Sequence, residues 1–209
     1  MGMLKTWRKL NQGWPGVIIS IVFGVALAAF FYYGVLSTIL QTSLPVVAVV
    51  SGSMDHGITD DNLKESAYPC GKVVDGYTES FGNWWDLCGG SYAQFGITAE
   101  QFMEFPFRDG FKKGDMPIVQ KSDSYKEGDI IVYTALNCQT REISESAPII
   151  HRIVEIDEQG IIHTKGDHNR SQNHYENCIS KDQVHGRVIF IIPKLGYVKV
   201  LASETLGFK

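Results

Sequence analysis

Hydrophobic and polar positions divide this chain into three stretches of different texture. Gly16–Leu40 holds no charged side chain. As a helix rising ~1.5 Å per residue, a run of that length exceeds the ~30 Å hydrocarbon core of a bilayer, which predicts one membrane-spanning helix with some tilt. The run is also too long for the apolar core of a cleavable secretory signal. Lys5, Arg8 and Lys9 precede it and no further cation follows until Lys64. The positive-inside tendency therefore puts residues 1–15 in the cytoplasm and residues 41–209 on the outer side. Pro45 disfavours helix for the residue before it. The β-branched run 46–50 behind it predicts a buried strand.

From residue 113 onward the texture changes again. Short apolar or alternating runs at 116–120, 130–134, 149–156, 161–165 and 184–192 are separated by Gly-Asp and Glu-Gln-Gly turns. No helical period is sustained there. The fold class predicted is mainly β, an antiparallel domain behind a single N-terminal transmembrane helix. Residues 55–110 fit neither pattern: they carry turn residues, the pair Trp84-Trp85 and many aromatics, with a short helix expected near residues 99–107. They read as an insertion between the strand at 46–50 and the next one, either a flap that contacts substrate or rests on the membrane, or, the reading preferred, a solvated, disulfide-pinned elaboration that the core fold can do without. The tail 201–209 is too short and polar for a second span.

Composition narrows the function. The 209 residues carry 19 Lys and Arg against 23 Asp and Glu, a net charge of -4. With no basic run or basic aromatic platform, nucleic acid is not an expected partner. The four cysteines, Cys70, Cys88, Cys138 and Cys178, form no C-x-x-C pair. On the outer side of a membrane they can form disulfides. Cys70 with Cys88 is the local pairing, leaving Cys138 with Cys178, but three pairings exist and spacing does not choose among them. His174 and Cys178 have a metal-like spacing that gives no common face on an extended segment, so no metal site is expected.

The chemistry concentrates in three places. The run 46–50 ends in Ser51-Gly52-Ser53-Met54, His151 lies in an apolar run, and Asp167 follows in Lys165-Gly166-Asp167-His168-Asn169. A serine hydroxyl attacks a carbonyl only when a base takes its proton and donors receive the oxyanion. A histidine, titrating near ~6.5 when unperturbed, suits the base role at neutral pH. These blocks occur in order behind one span, together with 125–133, Gly186-Arg187-Val188 and 192–198. So arranged, they resemble type I signal peptidases of the archaeal and endoplasmic-reticulum kind. A bacterial relative carries lysine where this chain has His151.

The resemblance implies a membrane-anchored serine endopeptidase that removes signal peptides from exported preproteins and needs no cofactor. It implies Ser53 as nucleophile, His151 as general base, and the Ser53 N–H with the Ser51 hydroxyl as oxyanion donors. Preprotein signal peptides, membrane lipid and the Sec export machinery are the implied partners, at the cell membrane or with a lumenal domain in the reticulum. An archaeal origin is the expectation. The acid is assigned to Asp167. The family's second aspartate, six positions later, is Asn173 here, which can orient an imidazole but not charge-stabilise it. Glu176 and Asp182 are the other carboxylates within reach of a shifted loop. That departure, with the long insertion, supports a second reading: a catalytically silent, membrane-tethered binding protein on the same fold.

Overall fold

The computed structural model describes residues 13–59 and 67–197. The segment with Lys5, Arg8 and Lys9, residues 60–66 of the insertion, and the tail 201–209 lie outside the described residues. The chain forms two compact units, Met1–Pro45 and Val46–Lys209.

The first unit is helical from α1 (Trp14–Ala29) through a π-wound stretch, Phe30–Leu36, into α2 (Ser37–Leu40). Two hydroxyls take up backbone carbonyls where the winding changes. Ser37 Oγ donates to Tyr32 O (3.1 Å) and Thr38 Oγ1 to Gly34 O (2.5 Å). Gln41 then turns left-handed (φ 52°) and ends the helix. Val17, Ile18, Ile21, Val22, Phe23 and Val25 are all exposed. A helix apolar on every side and long enough to span is suited to lipid.

The second unit is built on one antiparallel sheet of five strands, in the order β1-β5-β2-β3-β4. The strands are β1 (Met116–Gln120), β2 (Ile130–Tyr133), β3 (Ile149–Ile156), β4 (Ile162–Lys165) and β5 (Val184–Ile192). The run 46–50 is extended but is not a regular strand. It lies along the free edge of β1, where Val47 N–H donates to Pro117 O and Val49 N–H to Asp115 O.

Successive side chains on a strand point to opposite faces, and here both faces are covered. Ile131, Tyr133 and Ile153 pack on one side with Tyr175 and Ile179. Val154, displaced by one residue from Ile153, packs on the other side with Trp84, Tyr92, Ile97 and Phe102. Those aromatics come from the insertion. Its helices α3 (Phe81–Ala93) and α4 (Ala99–Met103) begin at Ser80 and Thr98, whose side chains accept the N–H of Asn83 and Gln101. Both-sided burial explains why β2 reads Ile-Ile-Val-Tyr without alternation.

The insertion is therefore not a solvated elaboration. It adds no strand among the described residues, yet Trp84, Tyr92 and Phe102 are fully buried, and a disulfide joins Cys70 to Cys88. A second joins Cys138 to Cys178. Deleting residues 55–111 and joining Met54 to Lys112 uncovers a sheet face and strips partners from the buried side chain of Arg152. We expect the shortened chain in detergent to lose cooperative thermal unfolding, followed by circular dichroism.

Candidate active site

His151 and Arg152 are neighbours on β3, so they project to opposite faces, and each meets its own carboxylate. β2 sets the register, with Ile131 opposite His151 and Ile130 opposite Arg152. Both residues are buried.

On one face, His151 Nδ1 is hydrogen-bonded to Glu176 Oε1. The Glu176 side chain is fully buried. Its Oε2 accepts the backbone N–H of Asn173 (2.5 Å) and the Asn173 side-chain amide (3.0 Å). Thr164 Oγ1 donates to Oε1 at 3.4 Å. Both oxygens of this buried carboxylate thus have hydrogen-bond donors. Asn173 thus contacts Glu176 and fixes its position.

On the other face lies Asp167, also fully buried. Arg152 grips it through Nε (3.0 Å to Oδ1) and one terminal nitrogen (2.7 Å to Oδ2). Tyr92 O–H donates to Oδ1 at 2.8 Å, and His56 Nε2 lies 3.1 Å from Oδ2. Burial alone raises a carboxyl's pKa. The charge of Arg152, with hydrogen bonds from His56 and Arg152, overrides that and holds Asp167 well below the usual range. The structure therefore sets Glu176, not Asp167, against the imidazole, and the alternation of β3 is the reason. Asp182 is nearly fully solvated, in the short 3-10 turn before β5. The sequence did carry a signal for Glu176. Asn-x-x-Glu is a capping-box spacing, in which the fourth side chain reaches back to the first N–H.

Between the faces sits Gly166. A Cβ there would lie 2.7 Å from His151 Nε2 and 2.8 Å from Ser53 O, so only glycine lets the imidazole and the serine turn approach. The turn is fastened alongside, His168 N–H donating to Ser53 O at 2.9 Å. Ser51 Oγ and Ser53 Oγ are 3.3 Å apart. Ser51, Ser53 and His151 line one cleft of about 190 Å³ together with Ala48, Val50 and Ile149. β4 pairs with β3 only from Arg152 onward. The preceding stretch of β3 thus has one edge without a ladder partner among the described residues, facing the cleft across from 48–50.

Beneath this, Lys165 is fully buried. Burial lowers its pKa to about 8, partly opposed by Asp167 and Glu176. Its Nζ donates to Gly166 O (3.0 Å) and sits 4.7 Å above the Tyr92 ring.

Asp167 and Glu176 should respond differently to mutation. Asp167→Asn leaves Arg152 buried with its charge uncompensated, a loss of roughly 3–5 kcal/mol at neutral pH. Because the folded pKa is depressed, this contribution is present above the unfolded value of ~3.9 and fades as pH falls through that value toward the folded one. Urea unfolding of wild type and variant should converge in acid.

No family model matches the chain. Among curated proteins it is similar to fungal signal peptidase complex catalytic subunits SEC11. That of Clavispora lusitaniae is 27% identical over 164 residues, covering 71% of this chain and 90% of the relative. That of Scheffersomyces stipitis is 33% identical over 111 residues, 47% of this chain and 61% of the relative. That of Eremothecium gossypii is 32% identical over 105 residues, 45% and 59%. The chain thus spans about six tenths of the length of the latter two. The resemblance read from the ordered blocks is to the same kind of protein, but these relatives lend no support to an archaeal origin.

Proposed function

We propose that this chain is a membrane-anchored serine endopeptidase that removes signal peptides from preproteins. The observation that carries the reading is the cleft where Ser53 and His151 meet at Gly166, with Glu176 behind the imidazole. The curated relatives, named as catalytic subunits, support it over a silent scaffold.

In the proposed mechanism the substrate lies extended between residues 48–50 and the start of β3 and adds main-chain hydrogen bonds to both. Ala48 and the small cleft volume favour small side chains before the cut, the A-x-A pattern of signal-peptide ends. Ser53 Oγ attacks the scissile carbonyl as His151 Nε2 takes its proton, while the Ser53 N–H and the Ser51 hydroxyl receive the oxyanion. The imidazolium returns the proton to the leaving amine. Water, deprotonated by the same nitrogen, releases the acyl group from Ser53. Glu176 holds the Nδ1–H tautomer and stabilises the imidazolium, with Asn173 fixing the carboxylate. No cofactor enters any step. Membrane lipid and the export machinery are the proposed surroundings, with residues 1–15 cytoplasmic.

Cleavage of a preprotein by the full chain in detergent tests the reading. Ser53→Ala should abolish it, and a variant that cleaves at the wild-type rate excludes Ser53 as nucleophile. Glu176→Gln should lower kcat by ~10²–10⁴ with little change in KM, by analogy with loss of the orienting carboxylate in serine proteases. Protease added outside right-side-out vesicles should digest the β domain; protection reverses the orientation.

A further inference from the structure

The catalytic proposal uses nothing of the insertion, yet the insertion begins directly after the serine turn and packs close against it. Four consecutive carbonyls, from that of Ser53 onward, are each taken. Ser53 O accepts His168 N–H (2.9 Å) and Met54 O accepts Phe111 N–H (3.1 Å). Asp55 O accepts His168 Nδ1–H (2.9 Å), and His56 O accepts Tyr77 O–H (2.5 Å). The chain passes so close that a Cβ on Gly110 would sit 2.1 Å from Met54 O and 2.8 Å from the His56 ring.

His56 makes the side-chain connection. It is 3% exposed. Its ring stacks on Trp84 of α3 with centroids 3.8 Å apart and planes 2° from parallel. Its Nε2 reaches Asp167 Oδ2, on the segment that also holds Gly166 and His168. One imidazole, three residues after Ser53 in the chain, therefore joins α3 of the insertion to the loop beneath His151.

We propose that His56 is a positioning residue: through it the insertion clamps the serine turn onto the loop after β4, setting Ser53 relative to His151. This rests on Ser53 being the nucleophile, but the clamp itself has a readout independent of cleavage. The serine turn follows an irregular extended run that is tied to β1 only as far as Val49. Stacking on Trp84 fixes the plane of the ring, and donation from Nε2 to Asp167 fixes its reach. A displacement of the serine by about 1 Å costs on the order of 10²-fold in rate.

The full-length protein in detergent micelles supplies the test, with a peptide carrying alanine at the first and third positions before the cut. His56→Gln retains an amide donor where Nε2 lies, whereas His56→Leu fills the site without one. The expectation is a kcat ~100-fold lower for His56→Leu with KM within about threefold, and recovery to within about fivefold of wild type for His56→Gln. In parallel, hydrogen exchange at the His168 amide, which is bonded to Ser53 O, should accelerate in His56→Leu and not in His56→Gln, while the β2 amides stay protected. Equal kcat for the two variants, or unchanged His168 exchange in His56→Leu with β2 protected, overturns the clamp. Should β2 protection be lost in His56→Leu, the decision passes to His56→Gln against wild type: kcat and His168 exchange near wild type uphold the clamp, and a slow, fully folded variant refutes it. If the wild type cleaves no peptide, the catalytic reading fails and His168 exchange still decides the clamp.

Discussion

A buried guanidinium is tolerable only when its charge and all its N–H groups are met, and Arg152 imposes that condition on the whole domain. Nε and one terminal nitrogen bind Asp167. The remaining donors go to the carbonyls of Pro106, Phe107 and Gly128. The Phe102 ring lies 4.7 Å from the guanidinium carbon. Meeting these demands draws the insertion, the turn before β2 and the loop after β4 onto one side chain of β3. The aromatic layer of the insertion then keeps water from the pair, which strengthens it.

The same strand alternation separates two kinds of work. One carboxylate neutralises a structural cation, and the other faces the imidazole. Had one side chain served both, the charge of Arg152 would compete with His151 for it. Divided as they are, Glu176 is left to hydrogen-bond the imidazole, while Asp167, between Gly166 and His168 in the chain, neutralises Arg152. Burial lowers the pKa of Lys165, and the charges of Asp167 and Glu176 oppose that effect.

Much was legible in the sequence. The uncharged run Gly16–Leu40 marks a helix long and apolar enough to cross a membrane because length and lack of charge are local properties that no packing alters. Alternating runs and turn residues give the antiparallel class. Both disulfides match the local pairing, since a bridge such as Cys70–Cys88 closes a short loop. Ser53 and His151 stand out as a nucleophile and base pattern, and the structure lines one cleft with both.

What the sequence could not rank was which acid meets His151. Asp167 and Glu176 are comparable in charge and distance along the chain, and the choice depends on the face to which each is delivered. That is settled by the register of β2 against β3 and by the return of residues 173–179 to β4, where Ile179 and Ile162 exchange backbone hydrogen bonds. The buried face of the insertion is hidden in the sequence for the same reason: its aromatics show no strand or helix period strong enough to reveal it, because what they bury is the far side of another element. Local pattern fixes the kind of the apolar N-terminal helix and of the five sheet strands in this protein. Which side chains share a face is a property of pairing between distant segments, and only the tertiary structure decides it.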